Sequence, residues 1–180
     1  MDNEQVLEKE IDLIQNCITR MSQNSFNVKG WLIALLVAVI ALLPETIDIV
    51  ALCFMIVGIT LVFWFLDGFF LKIETLYRWK YNWVISKRLK TDDFFYNLNP
   101  HNKKMWLLDN GEKPKKEPCI FRKMFTKTLW PFYLPIILVA LIIIFTQNST
   151  HEFFVEVLKF LKIMKYNGAK ILVQIWCKTL

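Results

Sequence analysis

A chain of 180 residues in which 55% are apolar and 15% aromatic has too little polar surface to cover the outside of one soluble domain, which places it in lipid. The formal charge of +6, from 22 Lys and Arg against 16 Asp and Glu, then reads as an orientation and headgroup signal, and direct nucleic-acid binding is not expected. Cys17, Cys53, Cys119 and Cys177 form no C-x-x-C pair and there are two histidines, so no metal cluster, disulfide framework or cofactor is expected.

The first 25 residues are polar and acidic where a cleaved signal would need a basic then apolar start. Leu7, Ile11, Ile14, Ile18 and Met21 step by four and three, the spacing of a helix packed on a partner helix. The stripe continues without proline into Trp31 to Leu43, which predicts one long helix from about Glu4 to Leu43, with Gly30 its weak point.

After Pro44 to Asp48, an uncharged run from Ile49 to Leu66 is long enough to cross about 30 Å of hydrocarbon at about 1.5 Å per residue. Beyond it the pattern turns amphipathic through Trp83 and Arg88. The predicted unit over 1–90 is a long antiparallel helical hairpin with membrane segments at about 26–43 and 49–66 and cytoplasmic extensions. Folding back at Pro44 sets position i beside roughly 90 minus i, so Ile14 would meet Leu76. Where both arms leave the lipid, Arg20, Asn24, Lys29 and Asp67 gather as a membrane-boundary clamp in which Asp67 pairs with Arg20 or Lys29. Trp31, Trp64, Trp79 and Trp83 are read as interfacial anchors.

The run Arg20 Met21, Asn24 Ser25 Phe26, Lys29 Gly30 Trp31 and then Phe63 to Asp67 resembles the membrane accessory proteins of type VI-B CRISPR systems, the Csx-twenty-eight type, or a related small membrane protein of antiphage defence. What the resemblance implies is a homo-oligomeric pore that permeabilises or depolarises the inner membrane when an RNA-guided ribonuclease effector detects phage RNA. It also implies a divergent HEPN ribonuclease site, which needs an Arg about five to seven residues ahead of a His to serve acid–base chemistry at the ribose hydroxyl. Phe94, Phe95 and Tyr96 hold those places before His101, and Ile144, Phe145 and Thr146 before His151, so ribonuclease activity is not expected.

Residues 91–128 are the least hydrophobic part and are predicted to fold as a basic cytoplasmic cap, since Phe94, Phe95, Tyr96, Met105 and Trp106 are too many large groups for a linker. Lys103, Lys104, Lys113, Lys115 and Lys116 form its basic surface, for lipid headgroups on one reading and for an acidic protein or RNA on the other. From Lys72 to Lys127 there are 14 bases and 6 acids, whereas Glu45 and Asp48 stand alone at the hairpin tip. A multi-pass inner-membrane protein with residues 72–127 and the N-terminus in the cytoplasm follows.

The unit over 129–180 starts with a third apolar span, Leu129 to Phe145, with Pro131 and Pro135 in its first turns. Phe153 to Cys177 is a basic amphipathic helix whose Lys159, Lys162, Lys165 and Lys170 either line a lumen shared between subunits or lie in the membrane interface. The expected fold class is thus an all-α integral membrane protein: a long hairpin, a third span and a C-terminal amphipathic helix. A pore and a non-conducting scaffold that holds a soluble partner at the membrane are the two functions this layout allows.

Overall fold

The structure is a computed structural model describing residues 3–42 and 47–146. Among these residues the regular structure is entirely helical: α1 (Asn3–Leu42), α2 (Ile49–Lys87), α3 (Ile120–Met124) and α4 (Trp130–Thr146), with single 3-10 turns at Arg88–Lys90 and Lys103–Met105. The predicted turn residues Pro44 and Glu45 and the entire segment 147–180, including His151, Cys177, Lys159, Lys162, Lys165 and Lys170, lie outside the described residues.

α1 runs 40 residues without proline, and at about 1.5 Å per residue it is about 60 Å long. α2 starts where the Asp48 side chain accepts a hydrogen bond from the Val50 amide at 3.3 Å, an N-cap that satisfies one of the free donors of the first turn. Both helices are long and apolar enough to cross a membrane, and only 11% and 22% of their most apolar windows are buried. A core helix of a soluble protein would hide such a window; here Trp31, Ile33, Val37 and Val62 face outward, each more than half exposed.

α2 is the central element. α1 lies along one side of it in the opposite direction, with Glu10 against Arg88, Gln15 against Tyr81 and Lys29 against Asp67. These long side chains pair near 96 minus i, whereas the short Ser25–Asp67 pair and the cluster shared by Ile14 and Leu76 stay near the predicted 90 minus i. The difference follows from side-chain direction: every helical side chain leans toward its own N-terminus, so antiparallel partners meet with both Cα atoms further along the chain than the meeting point. Reach matters most for Arg88, Tyr81 and Lys29, which carry the contacts.

On its other side α2 receives α3 and α4. Trp64 packs with Leu32, Ile120, Met124, Leu129 and Tyr133, while Val50 and Cys53 pack with Ala140 and Ile144 near the far end. The α3 contact depends on Gly68, because a Cβ there would stand 2.7 Å from the Met124 side chain. Pro131 sits in the first turn of α4, where a missing amide proton costs least, whereas Pro135 lies inside the helix and leaves the Pro131 carbonyl without its i→i−4 donor.

The third cluster lies at the opposite end of α2, where Ile14 and Cys17 of α1 meet Leu76, Tyr77, Trp83 and Val84, and Met105, Trp106 and Leu107 close over them. Residues 91–118 hold their shape by local turns: Asn97, Asn99, Asn102 and Asn110 each accept a hydrogen bond from the amide two residues on, at 2.9–3.2 Å. Gly111, at φ +80°, closes the turn in which the Leu108 amide donates to the Glu112 carbonyl at 2.8 Å. The segment is tied to α2 through the Leu107 amide on the Trp79 carbonyl, 3.1 Å, and through the edge-on rings of Trp79 and Trp106.

The indole rings do not behave as one set. Trp31 is 63% exposed, as an interfacial anchor requires, but Trp64 and Trp83 are buried. Trp64 stacks on Tyr133 and donates to the Met124 carbonyl at 2.9 Å; Trp83 meets Phe94 edge-on. These two are core residues, because cap and α4 cover the side of α2 they occupy.

Candidate functional site

Asp67 sits one residue past the uncharged run of α2 and is fully buried. Burying a carboxylate there is costly unless it is paired, and three groups meet it: the Lys29 ammonium at 2.6 Å, the Tyr133 hydroxyl at 2.8 Å and the Ser25 hydroxyl. Lys29 also reaches back one turn to the Ser25 hydroxyl and carbonyl at 3.1 and 3.2 Å. One side chain thus ties α1, α2 and α4 together.

Of the four residues expected at this boundary, the structure brings together Lys29 and Asp67. Arg20 is exposed and Asn24 half-buried, and neither is hydrogen-bonded to Asp67. Arg20 lies two turns or more from Lys29 along α1, beyond what either side chain spans. Tyr133 was not anticipated, because its place depends on α4 folding back along α2.

A second polar centre has no counterpart in the sequence expectations. Every fourth residue of Lys72, Leu76, Lys80, Val84 and Arg88 is buried, so three cations share one inward row. Arg88 grips Glu10 with two nitrogens at 2.5 and 2.8 Å and donates to the carbonyls of Thr91, Asp93 and Phe94. The remaining face of Glu10 accepts the Tyr96 amide at 2.7 Å. Holding these groups in place puts Phe94 and Tyr96 at φ 58° and 48°, a left-handed backbone costly for aromatic residues. Trp83 and Phe95 flank the guanidinium with their rings 5.5 and 5.6 Å away.

Lys80 donates to the Asn99 carbonyl at 2.9 Å and more weakly to the Asn97 side chain. Burial pulls its pKa down to about 8, against the opposing pull of Glu10 and Cys17. Lys72 stands 2.7 Å from a Glu117 oxygen that accepts no hydrogen bond, so that contact is one of charge alone. All three cations therefore hold residues 91–117 against α2.

Lys103, Lys104, Lys113, Lys115 and Lys116 are all exposed, with Lys104 lying over the Phe94 ring at 5.9 Å. His101, also exposed, has its Nδ1 3.5 Å from Glu117. The inward acid and bases were partly legible. Glu10 falls on the row Val6, Glu10, Ile14, Cys17, which is the buried one, whereas Leu7, Ile11, Ile18 and Met21 are half-buried on the neighbouring row. The eight-residue step from Lys72 to Lys80 to Arg88, two four-residue steps each through Leu76 and Val84, is the available signal. Comparison with protein-family models, with curated proteins and with solved structures gives no match to this chain.

Proposed function

We propose that this protein is an oligomeric, pore-forming membrane accessory of antiviral CRISPR defence that depolarises the inner membrane when an RNA-guided ribonuclease effector activates it. The observation that carries the membrane part is the pair of long helices whose apolar windows are nearly nine-tenths and more than three-quarters unburied. Side chains such as Ile33, Val37, Ile40 and Leu42 need an apolar medium or another copy to cover them. α4, shorter but strongly apolar, packs on α2, which supports reading it as a third crossing. The charge asymmetry of the chain sets the Glu10–Arg88 end in the cytoplasm.

Asp67 then marks the depth at which the bundle stops being lipid-soluble, and its bonds to Lys29 and Tyr133 clamp three spans at that level. No catalytic role is assigned to any residue. The pore and its trigger are inferred from the resemblance of residues 20–31 and 63–67. They are tested by co-expressing the protein with an activated type VI-B effector and following a potential-sensitive dye. Loss of potential that needs both partners is expected; an intact potential with both present refutes the pore. The exposed cap lysines support the alternative of a non-conducting scaffold, for which effector capture without depolarisation is the distinguishing outcome.

A further inference from the structure

Between Cys119 and Trp130 the chain carries Arg122, Lys123 and Lys127 and no acid. Its height on the molecule is fixed: the Trp64 indole donates to the Met124 carbonyl, and Ile120 and Met124 press on Gly68, next to Asp67. If the uncharged run of α2 that ends at Leu66 crosses the bilayer, as proposed above, α3 lies where hydrocarbon gives way to headgroups. At that height Phe121, Phe125 and Trp130 are 46%, 67% and 43% exposed. They are held in place, Phe121 against Phe65 and Phe125 edge-on to Trp64 at 5.2 Å. Arg122 and Lys127 are exposed beside them, and neither has an ion-pair partner among the described residues. Lys123 differs, being half-buried with its pKa lowered by burial against the pull of Glu74.

We propose that this segment is a binding site for anionic phospholipid, in which Arg122 and Lys127 hold the headgroup phosphate while Phe121, Phe125 and Trp130 lie among the glycerol and uppermost acyl carbons. The pairing of aromatics with unpartnered cations at one depth matches the layered chemistry of a cytoplasmic leaflet, apolar below and anionic above. A soluble acidic protein would meet the charges but would have to reach below the waterline for the rings. Guanidinium and ammonium here face outward with full hydrogen-bonding capacity left, which phosphate oxygens satisfy.

The test reconstitutes the full chain in nanodiscs of phosphatidylcholine mixed with phosphatidylglycerol and counts retained lipid by native mass spectrometry. Enrichment of phosphatidylglycerol is expected, falling about five-fold for each charge removed in Arg122→Gln and Lys127→Gln. Phe121→Ala with Phe125→Ala should lower retention of both lipids. Equal retention of the two lipids by the unaltered protein, or unchanged enrichment in the double charge variant, overturns the site. Displacement by an equal concentration of inorganic phosphate would reveal a free-anion site and overturn it as well. Sedimentation with membranes is scored first, so failure of the membrane reading is distinguished from failure of lipid selectivity.

Discussion

Deleting the carboxylate of Asp67 leaves the Lys29 ammonium and the Tyr133 hydroxyl facing an apolar seam without their acceptor. Breaking one partner of a buried pair typically costs about 3–5 kcal/mol, whereas replacing both by apolar groups of similar size is often neutral. Asp67→Ala is therefore expected to lower stability by about 3 kcal/mol, toward the low end because Lys29 keeps some exposure to solvent. The double change Lys29→Met with Asp67→Leu should cost less than the single one. Melting in detergent across the full mutant cycle checks this; costs that simply add would show that the two groups do not interact. Glu10→Gln, on α1 beneath the cap, leaves Arg88 without its counter-charge. Faster protease cleavage within 91–118 is the expected sign there, with the spans unaffected.

At the scale of elements, the packing of α3 on α2 turns on one absent side chain. Gly68→Ala puts a methyl group against Met124, and overpacking of about 1–3 kcal/mol outweighs the gain in helix propensity of about 1 kcal/mol. Gly30→Ala and Gly58→Ala meet nothing within 4 Å and should raise the melting point by the propensity term alone. If all three changes stabilise alike, α3 does not sit on Gly68.

Lys80 links the cap to α2 with a dependence on pH. Its folded pKa of about 8 lies below the unfolded value, so between pH 8 and the ordinary lysine range the unfolded chain binds more protons than the folded one. Stability must rise with pH through that window, by up to about 3 kcal/mol, while below pH 8 the cost of burying the charged amine is present in full and no longer changes with pH. Lys80→Met should remove the rise, read as the difference between the two proteins so that other titrating groups cancel.

The helices themselves were plain in the sequence, since forty residues without proline and an uncharged eighteen-residue run leave few alternatives. Their lateral contacts were harder to read. On α1 the stripe Leu7, Ile11, Ile14, Ile18 and Met21 packs on the core, but the burial of Glu10 beside it is not legible in the stripe, because it depends on Arg88 arriving from 78 residues later. Tyr133 on Asp67 and the turns built on Asn97 to Asn110 belong to contacts between distant segments, which periodicity along one helix does not encode.

The proposed conduction belongs to several molecules together. Within one copy, the buried polar side chains in and at the end of the uncharged run of α2 are Thr60, which donates to the Ile56 carbonyl at 2.7 Å, and Asp67, whose partners are all protein groups. Neither leaves a polar file along which ions could move between α1, α2 and α4. The wet path of the proposed pore is therefore one assembled where copies meet, so leak should rise more steeply than linearly with the number of proteins per vesicle. Dye release measured against protein-to-lipid ratio checks this: a slope above one on logarithmic axes is expected, and strict proportionality rules out an assembled pore. If the walls of that proposed path include Lys159, Lys162 and Lys165, changing them to Glu should move its selectivity toward cations, because rings of charge select the opposite ion. Unaltered selectivity with weaker binding to anionic vesicles would place those lysines on the lipid surface instead.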